Sequence, residues 1–370
     1  MRNSSRSKIR STLGRKGIQV LLMILAMILL PAVSAFAADV ITLKFASIQT
    51  PPHPYAAADE QWMNYVEKIS NGRIKFQRYW GATLISNENG PMEIARGVAD
   101  LGYTDPAYGK TGFPVFRDER NMMAGSNNTP AALLIHNKFF WSTPELQAEY
   151  PANTIPIQVH EMAQPFFMWT TKKPIKSVDD LRGLSIRTSV ASVDVLKAVG
   201  AQPVTVPMGE AYLMMQKNIV QGNICPYEAV FSFRFFEVVK YQSLYAPPVT
   251  ASTNRMWNKA SFNKLPADLQ KLIVESYTQW NKFALEAQMT ATRAGEEAAR
   301  KAGIELVAQS PAEKAKWDAL WAPVAEITAK RLNDQGLPGT RILNQLRALI
   351  AEYNDKGLTY EDVWKEFRYQ

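Results

Sequence analysis

The stretch VDDLRGLSIRTSVASVDVLKAVGAQPVTV, residues 178–206, is the part of the sequence that decides the fold. A short apolar run, residues 184–186, ends in Arg187, and a segment with helical spacing and a second strand-like segment follow. The order strand, helix, strand predicts a parallel pair of strands with a helical crossover. A guanidinium at the end of a buried strand is costly unless it is paired. Arg187 therefore needs either an internal carboxylate or a partner from outside the chain.

The same β-α-β order occurs near the start of the chain. Residues 40–49 alternate like a strand, residues 55–72 read as an amphipathic helix that stops at Gly72, and residues 73–80 read as a second strand. A long segment without interior proline follows Pro266 and predicts a helix of roughly 50 Å, at 1.5 Å per residue. We therefore predict two similarly wound α/β domains and a helix long enough to run across both.

The first 37 residues predict a secretory signal peptide. They combine six basic residues and no acidic one with an apolar run from Val20 to Leu30 and the small-residue pattern Ala35-Phe36-Ala37. The alternative is an N-terminal membrane anchor, but this run is shorter than the roughly 20 residues that span a bilayer. We expect cleavage, export to the periplasm and a soluble mature protein.

Composition excludes several function classes. Six of the 42 basic residues lie in the signal segment, so the rest of the chain carries 36 basic and 34 acidic residues and offers no basic run for nucleic acid. A single cysteine excludes an internal disulfide, and three scattered histidines give no metal-ligand spacing. YGKTG (108–112) lacks the glycine spacing of a phosphate loop. No pattern joins a nucleophile to a base, so we predict neither an enzyme nor a bound metal or cofactor. A secreted enzyme on an α/β scaffold is the weaker alternative.

Arg187 is the principal candidate for a binding residue. In open α/β sheets, ligands collect beyond the carboxyl ends of the strands, and an arginine fork can hold a carboxylate through two parallel hydrogen bonds. The alternative is a structural ion pair between Arg187 and Asp180 or Glu210. From the residues alone the two interpretations are balanced.

Residues 176–230 resemble the central segment of the solute-binding proteins of tripartite ATP-independent periplasmic (TRAP) transporters. The resemblance is carried by DLRGLSIR (180–187), by GAQPVTVP (200–207), by the E-x-Y of residues 210–212 and by a V-x-G turn at 220–222. It extends over nearly the whole mature chain, apart from about the last fifteen residues.

The resemblance implies a two-domain periplasmic binding protein of the type II-like class, with the long helix along both domains. Domain I is expected at 38–165 plus about 253–292, and domain II at 166–252 plus about 293–370. It also implies that a monomer captures a small organic acid in the interdomain cleft and passes it to the membrane subunits of a TRAP permease. The binding subunit of another transporter or of a sensor is the alternative.

The resemblance assigns the substrate carboxylate to Arg187, a polar pocket position to Asp105, and a ligand-contacting loop to Pro207. Three positions depart from the family pattern: Met168 and Cys225 stand where some relatives have polar groups, and Gln221 replaces an acidic residue. Phe167, Met168, Trp169 and Tyr227 are then candidates for an apolar wall of the pocket, with Cys225 as a further pocket position. The alternative is that these side chains belong to the domain core, which is favoured for Trp169. This wall favours a monocarboxylate over a dicarboxylate.

Overall fold

The computed structural model describes residues 39–51, 53–109, 111–122, 129–157, 165–189, 192–247 and 254–369. The predicted signal peptide, residues 1–37, lies outside this described part. Among the described residues, no helix is long and apolar enough to cross a membrane.

The first lobe is built around a five-stranded sheet in the order β2-β1-β3-β10-β4. Strands β1 and β2 are parallel, as are β1 and β3, whereas β10 runs antiparallel to both of its neighbours. Gly102 in β3 allows the close approach to β1, because a Cβ there would lie 2.2 Å from the carbonyl oxygen of Ala46. The strands are β1 Ile41–Ser47, β2 Ile74–Tyr79, β3 Leu101–Thr104, β4 Thr154–Ile157 and β10 Asn254–Asn258, and the helices are α1 Pro54–Ile69, α2 Gly90–Ala95, α3 Pro114–Met122, α4 Thr129–Ser142, α5 Pro144–Ala148 and α9 Lys259–Asn263.

The second lobe is built around a six-stranded sheet in the order β11-β9-β5-β8-β6-β7. Strands β6, β7 and β8 are parallel, so their carboxyl ends meet at one edge of the sheet. Strand β5 is antiparallel to β8 and starts at that same edge. The strands are β5 Phe167–Thr170, β6 Ser185–Thr188, β7 Gln202–Thr205, β8 Gly222–Cys225, β9 Tyr241–Ser243 and β11 Glu305–Val307, and the helices are α6 Val193–Ala198, α7 Ala211–Gln216 and α8 Tyr227–Ser232.

The predicted long helix is α10, Ala267–Lys301. Its first half packs in the core of the first lobe through residues such as Trp280, and Ala299 near its end packs in the core of the second lobe. It contacts both α1 and α8. The prediction of an α/β fold with two lobes and a helix along both is confirmed.

Four helices follow the long one: α11 Pro311–Trp321, α12 Val324–Asp334, α13 Gly339–Tyr353 and α14 Tyr360–Glu366. Trp317 and Trp321 of α11 pack in the second lobe, as expected. Leu332, Leu346 and Val363 of the last three helices instead pack in the core cluster of the first lobe. The expected range 293–370 for domain II therefore contains helices that belong, by packing, with domain I, and we place that boundary near Pro323.

Candidate functional site

Arg187 lies on β6 of the second sheet, between the edge strand β7 on one side and β8 on the other. Its side chain is buried, with 1% of the residue exposed. The carbonyl oxygen of Val206 accepts hydrogen bonds from Nε (3.0 Å) and from Nη2 (2.8 Å). The Nε–Nη2 edge of the guanidinium is therefore held by the loop after β7. The Nη1–Nη2 edge faces away from the Val206 carbonyl.

The rest of the guanidinium meets only uncharged groups. Nη1 lies 3.2 Å from the Met208 sulfur and 3.4 Å from Asn223 Oδ1. Across the described residues, no carboxylate lies within 4 Å of Arg187. Asp180 accepts instead from Lys173 and from the Ser177 backbone, and Glu210 is exposed without an ion pair in the described part. The alternative of a structural bridge from Arg187 to Asp180 or Glu210 is therefore wrong.

The first lobe reaches Arg187 through Tyr108. Nη2 of Arg187 donates to the Tyr108 hydroxyl at 3.1 Å, across the boundary between the lobes. Tyr108 ends a short 3-10 helix, Pro106–Tyr108, whose start is capped by the Asp105 carboxylate through Ala107 N–H (3.0 Å). Tyr108, the first residue of YGKTG, thus supplies a hydroxyl beside the Arg187 guanidinium.

Asp105 is committed to contacts inside the first lobe. Its carboxylate forms a buried ion pair with Arg120 at 2.7 Å, besides capping the 3-10 helix. A carboxylate held in this way positions Tyr108 and does not point a free charge at the cleft. We therefore leave Asp105 out of the proposed ligand-contacting residues.

Two aromatic side chains lie near the carboxyl end of β8. The Phe167 and Tyr227 rings are 5.3 Å apart, and the Tyr227 ring is 5.2 Å from the buried Trp169. Gln242 Nε2 donates to the Tyr227 hydroxyl at 2.7 Å, so Tyr227 offers its ring and not its oxygen. Phe167 is opposite Cys225 in the β5–β8 register, two residues beyond Asn223 on the same face of the sheet.

Met168 and Cys225 lie in the protein core. Met168 is buried with Ile186 and Ile224, on the face of the sheet that is opposite to Phe167. Cys225 is fully buried with Trp169, and burial raises the pKa of its thiol well above the ordinary range. Pro207 is half-buried between Val206 and Met208, the two loop residues that contact Arg187. Pro207 therefore shapes the site and Met168 faces away from it, whereas Cys225 lies on the sheet face that carries Arg187 and Asn223.

A second contact between the lobes joins His53 to Glu228. His53 Nε2 lies 3.9 Å from Glu228 Oε2, and both residues are buried. His53 Nδ1 accepts from the Tyr55 backbone N–H (3.3 Å), so its proton is on Nε2, facing Glu228. Burial, aided by the positive Arg255, lowers the pKa of His53 to about 3, and burial raises the pKa of Glu228 to about 8. Both side chains are therefore uncharged at neutral pH.

The sequence analysis missed Tyr108, Met208 and Asn223. Asn223 could have been found, since it follows Gly222 in a strand and has the same parity as Cys225. Tyr108 and Met208 lie in short 3-10 helices that follow strands, and no periodicity predicts the contacts of such turns. In the described ranges, no group of three or more His, Cys, Asp or Glu side chains is placed to hold a metal.

Two α/β lobes facing one another, with a buried arginine at their junction that has no ion pair among the described residues, are typical of a protein that binds a solute in a cleft. The model of the family named "Bacterial extracellular solute-binding protein, family 7" matches residues 45–331, and the chain belongs to this family.

Individual proteins extend this family assignment. A solute-binding protein of Albidiferax ferrireducens is 26% identical over 267 residues, which are 68% of this chain and 74% of the relative. The C4-dicarboxylate-binding protein DctB of Bacillus subtilis is 25% identical over 295 residues, 75% of this chain and 79% of the relative. The crystal structure of a TRAP solute-binding protein from Rhodoferax ferrireducens, in complex with copurified benzoate, is 25% identical and covers 85% of this chain and 98% of its own, with a TM-score of 0.72.

Proposed function

We propose that this protein captures a small organic acid in the cleft between its lobes and delivers it to the membrane subunits of a TRAP transporter. The observation that carries the proposal is Arg187: a buried guanidinium whose described neighbours are all uncharged. An unpaired buried charge is destabilising, so an anion that supplies the missing charge binds favourably. The membership in a family of extracellular solute-binding proteins supports the same role.

The carboxylate is expected at the end of the guanidinium that carries Nη1 and Nη2. The opposite edge, Nε with Nη2, already shares the Val206 carbonyl oxygen. Tyr108 stands at this end and its hydroxyl accepts from Nη2; a carboxylate that replaces this contact accepts from both Arg187 and the Tyr108 hydroxyl. A ligand held in this way touches both lobes and favours the closed arrangement by its greater affinity for it.

The ligand's body is expected to lie against Phe167 and the ring of Tyr227. These rings are partly exposed and lie on the sheet face that carries Arg187 and Asn223. With Met168 and Cys225 in the core, the proposed site consists of Arg187, Asn223, Tyr108, Phe167 and Tyr227, and the loop around Pro207. An aromatic or branched monocarboxylate fits an apolar wall better than a second carboxylate does, and the benzoate of the Rhodoferax protein agrees with this class.

The remaining parts of the proposal follow from the family. The binder performs no chemistry itself, acts in the periplasm after cleavage of the signal segment, and works as a monomer. The C4-dicarboxylate named for the Bacillus relative keeps succinate as the competing ligand to test.

The proposal is tested by titrating the ligand-stripped protein with benzoate and with succinate in a calorimeter. We expect benzoate to bind and Arg187→Ala to weaken binding by about 3 kcal/mol, over a hundredfold, because two charge-assisted hydrogen bonds are lost. Arg187→Lys should restore only part of the affinity, since an ammonium cannot form the fork.

Arg182→Ala is the matched control, because Arg182 is an exposed arginine five residues earlier in the same lobe. Circular dichroism establishes that each variant is folded. Unchanged affinity for benzoate in Arg187→Ala would contradict the proposed site. Succinate binding as tightly as benzoate would contradict the proposed ligand class.

A further inference from the structure

His53 and Glu228 form a contact between the lobes that the proposed ligand site does not use. His53 precedes α1 in the first lobe, and Glu228 is the second residue of α8 in the second lobe. The His53 ring lies between Tyr55 of its own lobe and Phe233 of the other, with ring centroids 4.4 Å and 5.4 Å away. The first lobe therefore covers Glu228 through the His53 side chain.

The Glu228 carboxyl is buried without the partners that a charged carboxylate needs. The residue is 4% exposed, and its Oε2 has no hydrogen-bond partner among the described residues. His53 Nε2, at 3.9 Å, is the one basic atom of the described residues within 4 Å of this carboxyl. Burial without a donor or a cation destabilises the ionised form far more than the neutral acid.

The other charged groups around this contact are already paired. Arg255 of β10 forms a buried ion pair with Asp59 at 2.9 Å. Arg234 and Glu237, which follow α8, form an ion pair with one another. These pairs leave no described cation to neutralise an ionised Glu228.

The elements behind Glu228 bring no compensating charge either. Helix α10 places Gly295 against the backbone of Tyr227 and Glu228, and the next residue on that helix is the acidic Glu296. Cys225 comes three residues before Glu228, and burial raises the pKa of its thiol well above the ordinary range, so the thiol is uncharged. The carboxyl thus has a strong reason to keep its proton while His53 covers it.

We propose that closure of the lobes takes up a proton at Glu228, so that the affinity for the bound acid falls as the pH rises above neutrality. The inference rests on the proposed function, because it takes ligand binding to close the lobes. In the closed arrangement the carboxyl is buried and protonated, whereas in the open arrangement water replaces His53 and the proton is released. Acid and proton then favour the same arrangement, and each strengthens the binding of the other.

The direction of the pH effect follows from two groups. Burial raises the pKa of Glu228 from the ordinary 4.5 to about 8, although the Ser232 hydroxyl lowers it. The pKa of His53 is about 3 when it is buried and 6.5 ordinarily, so His53 would lose a proton on closure, but chiefly below pH 7. Between pH 7 and pH 8.5 the Glu228 contribution is the larger, and the affinity should fall roughly five- to tenfold.

The test counts the protons taken up when benzoate binds, from calorimetric enthalpies in HEPES and in Tris buffer at pH 7.5. We expect the wild type to take up roughly 0.5–1 proton per ligand. Glu228→Gln should take up almost none, and its affinity should change less than twofold between pH 7 and pH 8.5.

Glu149→Gln is the matched control. Burial also raises the pKa of Glu149 to about 8, but its carboxylate accepts from the backbone of Val115 and Phe116, all within the first lobe. Its proton uptake on benzoate binding should equal that of the wild type.

A second variant covers the case in which Glu228→Gln disturbs folding. His53→Asn keeps a side-chain acceptor for the start of α1 but leaves room for water at Glu228, so proton uptake should again fall. No uptake by the wild type, or equal uptake by the wild type and both variants, overturns the inference and leaves the proposed function intact.

Absence of benzoate binding would contradict the proposed function instead. Closure is then followed by small-angle X-ray scattering of the ligand-free protein. The inference expects the radius of gyration to rise between pH 7 and pH 8.5 in the wild type but not in Glu228→Gln, and a radius that stays constant in both overturns it.

Discussion

At the scale of single residues, Arg187 has the surroundings that the proposed anion site requires. A carbonyl, a thioether, an amide and a hydroxyl surround the guanidinium, each supplying a dipole and none a charge. Such neutral partners lower the cost of burying the cation but leave it uncompensated. The positive charge is thus available to a ligand, and each of these partners is a point where affinity can be changed.

Replacing Tyr108 by Phe tests the contact from the first lobe. The variant loses the hydroxyl that faces Nη2 of Arg187. We expect the affinity for benzoate to fall by about 1 kcal/mol, five- to tenfold, because a bound carboxylate loses one donor. Tyr212→Phe, which removes a hydroxyl bonded to Glu237 instead, should have no effect. Tighter binding by Tyr108→Phe would mean that the hydroxyl competes with the ligand.

Replacing Asn223 by Asp places a carboxylate beside Arg187 inside the protein. Oδ1 of Asn223 is 3.4 Å from Nη1, so the new charge would pair with the guanidinium. At this distance the attraction is on the order of several kcal/mol even with strong screening, and the acid affinity should fall at least tenfold. Asn218→Asp, an exposed change near the same strand, serves as the control in the same titration. Undiminished affinity would show that the ligand does not depend on the charge of Arg187.

At the scale of secondary-structure elements, the long helix α10 and the short helix α8 meet at Gly295. A Cβ at this position would lie 1.9 Å from the carbonyl oxygen of Tyr227, so only glycine permits the observed packing. Tyr227 is the first residue of α8 and one wall of the proposed site. The packing of one glycine on the long helix therefore helps to position a ligand-contacting ring.

Gly295→Ala should destabilise the protein even though alanine is favoured in helices by about 1 kcal/mol. The clash with a backbone atom forces α8 away from α10, and the melting temperature and the affinity for benzoate should both fall. Thr290→Ala, at an exposed position of the same helix, should leave the melting temperature unchanged or raise it slightly. A more stable Gly295→Ala would show that the two helices can separate at no cost.

At the scale of the whole molecule, two further contacts join the lobes. Arg331 on α12 binds Asp118 of the first lobe and Asp194 of the second, each at 2.9 Å. His53 and Glu228 face one another as uncharged side chains. The contacts of Arg331 are ionic and are screened by salt. The contact of His53 with Glu228 depends on keeping the Glu228 carboxyl protonated.

Glu228→Gln should change how stability depends on pH. The folded protein holds the Glu228 proton up to about pH 8, but the unfolded chain releases it near its ordinary pKa of 4.5. Between these values the wild type therefore loses stability as the pH rises, by at most about 1.4 kcal/mol per pH unit for this group. Gln has no proton to lose, so the variant should lack this contribution.

The measurement is the free energy of unfolding of both proteins at pH 6.5 and pH 8. His53, with a folded pKa of about 3, is half protonated in the unfolded chain at pH 6.5, its ordinary pKa, but this contribution is present in both proteins and cancels in the difference. Glu149, whose pKa burial raises to about 8, contributes equally to both proteins and cancels in the difference. Parallel pH dependences would indicate that Glu228 is ionised in the folded protein.

Local patterns in the sequence were sufficient for the elements that position the site. The alternation in Ile41–Ser47, the β-α-β order around Arg187 and the long run after Pro266 all gave elements that the structure contains. Period-2 and period-3.6 patterns arise from the backbone geometry of each segment, so they can be detected without knowing its neighbours. The resemblance of residues 176–230 to TRAP solute-binding proteins agrees with the family assignment.

The pairing of side chains and the covering of apolar faces were decided only in the tertiary structure. The apolar stripes of α12 to α14 indicate that a face is buried but not which lobe buries it, and the chain returns to the first lobe. Met168 and Cys225 became core because the faces of β5 and β8 are both covered. In the folded chain, Asp105 forms an ion pair with Arg120. Arg187 contacts Tyr108, Val206, Met208 and Asn223, which lie on other segments of the chain. The sequence by itself determined that a cation stands at the end of a buried strand; whether that cation stays unpaired depends on long-range packing, which no local pattern encodes.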